Sequence, residues 1–449
     1  MVPWIFAKDP LEYWMADYRR VFDAWEEGGV RGVAFGYLWF RQQDGTRIPT
    51  YPADPKVYAG FGVSAPREAT RDLDKEKRFQ AMLDDAAARG WRILIFSTRG
   101  DGGQRPLDED PYGAVGFAAG VQDIMDAYPQ VHGLIVDGPG ENHYELAFHH
   151  GGELFEIREH ERVRFGALGF DLDRMARGIA HLHGRFHGLT PSLVRYHASG
   201  GMLGGLWLFD VDEDALYWLR CRRQASLGWV AAVRAQLDRL NRKVELGGIP
   251  RTAAFSSLTG QDYQQMAPSF DYLFPKHYFW HRGFDGMYGT VARWVQRLAS
   301  WNPSLTEADC LTAVGSLFGL RLPGVDSLMD LELGFPQEFF DTVVYSETRR
   351  ALEAVGDADK VIAWVSTGRR PHAGDAMTAR DLHAILTASA RAGLKRFLFH
   401  PDRDFGAAEW RVVSGLCGTL WREEPDGYWP GDTPKPDGFS GGRRPPATE

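Results

Sequence analysis

Cysteine is scarce in this sequence, and its scarcity argues against two classes of protein. The three cysteines, Cys221, Cys310 and Cys417, are far apart and odd in number. They form no CxxC pair of the kind that binds structural zinc, and no even set that would indicate a disulfide framework. We therefore expect reduced thiols and a cytoplasmic protein.

Clustered positive charge and long apolar runs are missing as well. The chain carries 51 basic and 60 acidic residues, a net charge of −9, whereas binding to a nucleic-acid backbone needs clustered Lys and Arg. No apolar stretch approaches the roughly 18 residues of a membrane span. The N-terminal "MVPWIFAKDPLEYWMADYRR" does not have the basic start and apolar run of a signal peptide. We expect neither a nucleic-acid nor a membrane partner, and the oligomeric state stays open.

Several cofactor and catalytic motifs do not occur. There is no GxGxxG after the first predicted strand, no Walker-type phosphate loop and no GxSxG elbow between a predicted strand and a predicted helix. Histidines cluster in 149–153 and 181–187, where His183 and His187 have the spacing of zinc ligands on a helix. The glutamate of an HExxH motif does not lie between them, so we expect no metal and no cofactor.

The chain repeats one unit, in which an amphipathic helix, a glycine, a short apolar strand and polar residues follow one another. In "MTARDLHAILTASARAGLKRFLFHPDRDF", Thr378 and Asp381 predict a capping box, Gly393 predicts the helix end, and "RFLF" predicts the strand. The segment "DLDKEKRFQAMLDDAAARGWRILIFSTRGD" has the same pattern, with Gly90 after the helix.

These units predict an α/β fold, a (β/α)₈ TIM barrel, with a doubly wound open sheet as the alternative. We predict a single barrel domain over 1–425, with a long insertion at 303–347 after the sixth strand, and an unstructured Pro/Gly-rich tail over 426–449. The longest helix is predicted at 213–241, with Gly228 bending or dividing it. Seven strands are recognised, and "PSLVRYH" (191–197) is the candidate for the eighth. The seven lie at 31–40, 91–96, 131–137, 243–249, 271–278, 360–366 and 396–399.

The strand "VHGLIVD" runs directly into carboxylates. Asp137 closes it, and Gly138-Pro139-Gly140 stops a helix from starting at once, so Glu141 stays near the strand end. The chemistry of barrel enzymes lies beyond the carboxyl ends of the strands. Two carboxylates four residues apart can reach either separation used by glycosidases, about 5–5.5 Å or about 6.5–9.5 Å. Asp137 as a helix cap and Glu141 as an ion-pair partner are the structural alternatives.

Other strand ends supply further candidates. Their side chains combine aromatic faces, which suit a sugar ring, with charges and hydrogen-bonding groups. The predicted substrate-binding residues are Tyr37, Arg99, Asp101, Arg251, Lys276, His277, Tyr278, Trp280, His400 and Asp402.

Three stretches, "HGLIVDGPGENHYEL", "LYWLRCRRQASLGWVAAVRAQLDRLNRKVELGG" and "LTGQDYQQMAPSFDYLFPKHYFW", resemble uncharacterised glycoside-hydrolase-like (β/α)₈ barrels. The resemblance covers about residues 30–415 and implies a strand ending in Asp, a long helix and a "GQDY" block. Better-known retaining barrels carry Asn-Glu after the fourth strand. Here the order is Glu141-Asn142, and no Glu ends "KVIAWVS", so Glu332 is the reserve candidate for the second catalytic carboxylate.

The leading hypothesis is an enzyme that cleaves a small saccharide or sugar conjugate with Asp137 and Glu141. A barrel that binds carbohydrate without cleaving it is the second hypothesis. A lyase or isomerase that depends on Lys276 or on a metal is the third. Two carboxylates over one pocket would favour catalysis, whereas aromatic platforms with at most one carboxylate would favour binding.

Overall fold

The structure is a computed structural model. It describes residues 1–8, 10–42, 44–67, 70–96, 103–139, 154–277, 279, 286–332, 335–366, 378–400 and 407–422. The predicted tail at 426–449 lies outside these residues. The strands in the described part of the chain are β1 (Val2–Ala7), β2 (Gly32–Phe35), β3 (Trp39–Arg41), β4 (Arg47–Pro49), β5 (Arg92–Phe96), β6 (Gly133–Asp137), β7 (Glu245–Ile249), β8 (Tyr272–Leu273), β9 (Ile362–Ser366) and β10 (Arg396–His400).

Eight of these strands form one parallel sheet in the order β8-β7-β6-β5-β2-β1-β10-β9. Parallel bridges from Leu273 to Val361 and from Lys276 to Trp364 join the two ends of this order. The sheet therefore closes on itself, and the predicted (β/α)₈ barrel is confirmed against the open-sheet alternative. The short strands β3 and β4 form a separate antiparallel hairpin.

The eighth strand is at the N-terminus and not at 191–197, so that prediction was wrong. β1 pairs with β10 on one side and with β2 on the other, between the last and the second strands of the chain. "PSLVRYH" forms a helix instead. Thr190 accepts a hydrogen bond from the Leu193 N–H, and Pro191 occupies the first turn, which together are the usual start of a helix.

The helices surround the barrel and fill the insertions. They are α1 (Leu11–Met15), α2 (Tyr18–Glu27), α3 (Pro55–Gly60), α4 (Leu73–Ala88), α5 (Ala114–Ala127), α6 (Glu159–Ala167), α7 (Leu172–Phe186), α8 (Pro191–His197), α9 (Gly201–Phe209), α10 (Glu213–Leu237), α11 (Ser256–Thr259), α12 (Tyr263–Met266), α13 (Met287–Trp301), α14 (Glu307–Phe318), α15 (Leu328–Glu332), α16 (Gln337–Phe339), α17 (Tyr345–Val355), α18 (Ala379–Arg391) and α19 (Ala407–Cys417). No helix in the described part of the chain is long and apolar enough to cross a membrane.

The two largest insertions follow the fourth and sixth barrel strands. The prediction of an insertion after the sixth strand is confirmed, because α13 to α17 lie between β8 and β9. The long helix α10 runs unbroken for 25 residues through Gly228, so the predicted division there was wrong. A Cβ at Gly228 would lie 2.0 Å from the Tyr112 hydroxyl oxygen, and this close approach accounts for the glycine.

Aromatic side chains fill the barrel. Trp4, Phe6, Phe96, Phe274 and Trp364 form a buried cluster whose neighbouring ring centroids lie 4.8 to 6.3 Å apart. Small residues on neighbouring strands make room for these rings. A Cβ at Gly32 would lie 2.3 Å from the Trp4 indole, and one at Gly247 would lie 2.6 Å from the Phe274 ring.

The amino-terminal end of the barrel is closed by an ion pair. The Arg92 guanidinium on β5 donates two hydrogen bonds to the Glu245 carboxylate on β7, with 2.7 Å between Nε and Oε2. The Glu245 side chain is buried. The Arg92–Glu245 ion pair therefore occupies the amino-terminal end of the barrel, and aromatic side chains fill its centre. A functional site is expected at the opposite end, where the strands have their carboxyl ends.

Candidate active site

Polar side chains are among the inward-facing residues at the carboxyl ends of the barrel strands. Side chains alternate along a strand, so a residue two positions beyond a barrel-interior residue faces the same side. Ile135, Phe274, Trp364 and Leu398 lie in the barrel interior. The residues two positions further along these strands are Asp137, Lys276, Ser366 and His400.

Asp137 and Lys276 form an ion pair at this end of the barrel. Their Oδ1 and Nζ atoms are 2.9 Å apart, and the side chains are 24% and 1% exposed respectively. The lysine is thus almost completely removed from water, while part of the carboxylate is open to it. A buried ammonium needs a paired charge, and Asp137 supplies one. The structure therefore brings together two residues predicted from different strands.

Strand β6 ends directly at Asp137. Gly138 has a φ of 56°, which lies in the left-handed region that glycine adopts readily. Its N–H donates to the carbonyl of Ile249, the last residue of β7. The turn ends the strand at the carboxylate, as the Gly-Pro-Gly sequence predicted.

His400 and Tyr37 lie over the aromatic interior. The His400 ring is buried against Phe6 and Trp364, with centroid distances of 4.9 and 5.6 Å. Tyr37 packs edge-on against Phe96 at 5.2 Å and remains partly exposed. Lys276 pairs with Trp364 in the sheet, which links these aromatic groups to the ion pair.

Arg251 is fully buried beside the loops that follow β7. Its Nη2 donates to Thr290 Oγ1 of α13 at 2.5 Å, and its guanidinium lies 5.0 Å from the Phe255 ring centroid. Its backbone N–H donates to Gln261 Oε1 at 2.8 Å. These contacts hold the arginine against α13 and the adjoining loop, and its predicted role in substrate binding stays a prediction.

The "GQDY" block, residues 260–263, forms hydrogen bonds to the loops that follow β6 and β7. The side-chain amide of Gln261 donates to the Pro139 carbonyl at 3.3 Å, so Gln261 joins the turn after β6 to the backbone of Arg251. The Tyr263 hydroxyl donates to the Arg251 carbonyl, and burial raises the pKa of Tyr263 well above 10. Asp262 caps α12. The motif that carried the family resemblance thus acts on the loops next to Asp137.

His277 faces away from Lys276 and is buried against α17. Its Nε2 lies 2.9 Å from Thr348 Oγ1. Burial lowers the pKa of His277 to about 4, with a smaller opposing effect from a hydrogen bond to the Pro275 backbone. The imidazole is neutral at pH 7. The structure does not bring it to the ion pair, and its predicted contact with substrate stays a prediction.

Glu161 is a buried carboxyl that the sequence did not single out. Its Oε2 accepts the Arg158 N–H at 2.7 Å, the reciprocal half of a capping box at the start of α6. Burial raises the pKa of this carboxyl, while the Arg158 N–H acts in the opposite direction. The capping role accounts for its position, and only the spacing to Arg158 could have signalled it.

Several predicted site residues lie outside the described residues. Glu332 is the last residue of α15, and its side chain is among those not described. The others are Arg99, Asp101, Glu141, Tyr278, Trp280 and Asp402. Within the described part, no group of three or more His, Cys, Asp or Glu side chains is arranged to hold a metal ion.

Comparisons with solved structures match more than nine-tenths of the chain at low identity. The glycoside hydrolase domain of PgaB from Bordetella bronchiseptica is 12% identical, with 94% of this chain and 99% of that chain covered and a TM-score of 0.44. A GH18 chitinase from Pseudoalteromonas aurantia is 9% identical, with 93% and 98% covered and a TM-score of 0.41. These structural neighbours are glycoside hydrolases.

A β-galactosidase from the haloarchaeon Halorubrum lacusprofundi also matches. It is 12% identical, with 92% of this chain and 57% of that chain covered and a TM-score of 0.44. No protein-family model and no curated protein sequence matches the chain.

Proposed function

We propose that this protein is a glycoside-hydrolase-like enzyme that cleaves a small saccharide or sugar conjugate, with Asp137 as an ionised carboxylate in the site. One observation carries the proposal. A partly exposed carboxylate closes the fourth barrel strand, 2.9 Å from a buried ammonium group, at the end of the barrel where barrel enzymes hold their chemistry.

The electrostatics of the pair favour this role. The Lys276 ammonium stabilises negative charge on Asp137, so the carboxylate is suited to act as base, nucleophile or acceptor of sugar hydroxyls. Lys276 is itself too buried to meet much of a substrate while the pair is intact. We therefore assign Lys276 the role of holding the Asp137 carboxylate in place and stabilising its negative charge.

A glycosidase also needs a carboxyl that keeps its proton until the leaving group departs. Glu141 is the candidate, because four residues extend at most about 13–14 Å and its position after the turn keeps it within reach of Asp137. Glu332, at the end of α15, is the reserve for this role.

The aromatic groups suit an uncharged, ring-shaped substrate. Tyr37 and His400 lie over Phe6, Phe96 and Trp364, and flat apolar faces with polar edges match the faces and hydroxyls of a sugar ring. The same features would serve a barrel that binds carbohydrate without cleaving it. The Asp137 carboxylate at the same end of the barrel favours hydrolysis over binding alone.

The buried lysine supports a second candidate, a lyase or isomerase that forms a Schiff base on Lys276. Such an enzyme needs a neutral amine, whereas the ion pair with Asp137 favours the ammonium form. Treatment with borohydride and a carbonyl substrate would attach a stable adduct to Lys276 in that case. No such adduct is expected from a glycosidase.

The test begins with a screen of aryl glycosides and oligosaccharides against the wild-type chain. With a substrate in hand, Asp137→Asn is expected to lower kcat by at least about 10²-fold, since general acid–base catalysis alone contributes roughly 10²–10⁴-fold. Glu141→Gln is expected to lower kcat by a similar factor and to remove one limb of the pH–rate profile.

Asp359→Asn is the matched control. Asp359 forms an ion pair with Lys395 at the same distance, 2.9 Å, but both side chains are more than half exposed. This variant is expected to turn over normally. Normal turnover by Asp137→Asn, or saturable binding of sugars without any turnover by the wild-type chain, would overturn the hydrolase proposal.

A further inference from the structure

Helix α9 presents an apolar face to solvent. Its sequence, "GMLGGLWLF", contains no charged residue, and its buried residues are Gly204, Leu208 and Phe209. The opposite face has Met202 at 78%, Leu203 at 62% and Trp207 at 66% exposure, with Leu206 beside them. Residues at these spacings share one face of a helix. A helix without polar positions is normally covered on all sides, so this face lacks its covering.

An apolar groove lies directly beside this face. The groove has a volume of about 1170 Å³, and Met202 and Leu206 themselves form part of its wall. Gly205 of α9 also lines the groove. The rest of the wall comes mainly from α14 and the segment after it, with Leu311, Gly315, Leu317, Leu322 and Val325, and with Arg321 and Asp326 as its charged residues. Because many of the lining residues are small or aliphatic, the groove has space for a bulky apolar side chain.

We propose that a second copy of this chain covers this surface, with α9 of each copy seated against the α9–α14 groove of the other. The surface carries both an exposed aromatic knob, Trp207, and an adjoining groove with space for one. A two-fold dimer requires this kind of self-complementarity, because the same patch must meet itself. The absence of charge on α9 removes the repulsion that two copies of a charged patch would suffer.

The exposed side chains supply more than half of the area that a dimer needs. Tyr196, on the neighbouring helix α8, is 79% exposed and adds a second aromatic side chain to those of α9. With about 200 Å² for each aromatic and about 100 Å² for each aliphatic side chain, these five residues expose roughly 450 Å². That is more than half of the ~800 Å² that each partner contributes to a standard interface. The groove walls supply further area.

Sedimentation velocity on the full chain, over a hundredfold range of concentration, tests the proposal. The expected result is a species with twice the 50.4 kDa mass of one chain. Trp207→Ser is expected to raise the dimer dissociation constant at least about 30-fold, the usual effect of removing a central aromatic anchor. Leu203→Arg, which places like charges on both copies, is expected to give monomers only.

Leu73→Ser is the control, because Leu73 is a similarly exposed apolar residue on α4, away from this surface. It is expected to dimerise like the wild type, and circular dichroism checks that all variants are folded. A chain that stays monomeric at every concentration overturns the proposal, as does a dimer that neither α9 variant weakens. A monomer that binds phosphatidylcholine–phosphatidylserine vesicles through Trp207 also overturns it, and assigns the surface to a lipid partner.

Discussion

The contribution of the Asp137–Lys276 ion pair to the free energy of unfolding can be estimated from its geometry. At 2.9 Å, two unit charges attract each other by about 6 kcal/mol at an effective dielectric constant of 20, and by about 1.4 kcal/mol in bulk water. Lys276 is 1% exposed and Asp137 is 24% exposed, so the environment lies between these limits. Desolvation of the lysine offsets several kcal/mol of this attraction, which makes the net contribution of the pair small.

Breaking the pair is expected to cost much more than replacing it. Asp137→Asn removes the negative charge 2.9 Å from the buried Lys276 ammonium and is expected to lower the free energy of unfolding by about 3–4 kcal/mol. Lys276→Met leaves a carboxylate that can still reach water, so we expect a smaller loss of about 1–2 kcal/mol. The double variant should be about as stable as Lys276→Met, which corresponds to a coupling energy of about 3–4 kcal/mol, the full cost of Asp137→Asn.

Urea denaturation of the wild type, the two single variants and the double variant measures this coupling. The exposed pair Asp359 and Lys395 is the matched cycle, because its charges are also 2.9 Å apart, and its coupling is expected to be within experimental error. A coupling energy for Asp137 and Lys276 below about 0.5 kcal/mol would be typical of an exposed pair and would contradict a strong buried ion pair at this position. The same four proteins assayed for turnover separate the catalytic role of Asp137 from its structural one.

Two further predictions concern the packed core. The pKa of His277 is lowered to about 4 by burial, so the folded chain binds this proton less readily than the unfolded chain, and stability is lost as pH falls from about 6.5 to 4. Protonation of His277 is expected to lower the free energy of unfolding by about 3 kcal/mol over this pH range. Urea denaturation at several pH values should show no such loss for His277→Gln. The control His383→Gln, at an exposed histidine, should show the same loss as the wild type. Gly32→Ala would place a Cβ 2.3 Å from the Trp4 indole and is expected to destabilise the fold by about 1–3 kcal/mol. Gly184→Ala, in an exposed helical position with open space, is expected to stabilise it by about 0.5–1 kcal/mol, and a destabilised Gly184→Ala would contradict this comparison.

Local patterns predicted the individual elements well wherever a helix or strand carries its own signal. The capping box of Thr378 and Asp381 starts α18 as expected, and Gly90 and Gly393 have the positive φ angles predicted for the ends of α4 and α18. These signals are local because a cap or a helix end depends only on residues within a few positions. The insertion after the sixth strand was predictable for the same reason.

The first strand and the eighth-strand candidate show where local patterns fail. "VPWIFA" is short and contains Pro3, which weakens its resemblance to a central strand, yet β1 pairs on both sides. Its pairing with β10 at the far end of the chain defines it as a strand. "PSLVRYH" has apolar residues that fit either element, and the Thr-Pro start decided for a helix.

For the site, local sequence patterns indicated which residues stand at the ends of the strands. The apolar run that ends at Asp137, before Gly-Pro-Gly, placed this residue at the end of β6, and polar residues after two other apolar runs identified Lys276 and His400 in the same way. Which of these residues meet depends on the tertiary structure. It paired Asp137 with Lys276, turned His277 toward Thr348 and buried Arg251 against α13. The physical reason is that periodicity fixes the side of a strand that a residue faces, whereas partners from distant strands are set by the closure and stagger of the whole barrel.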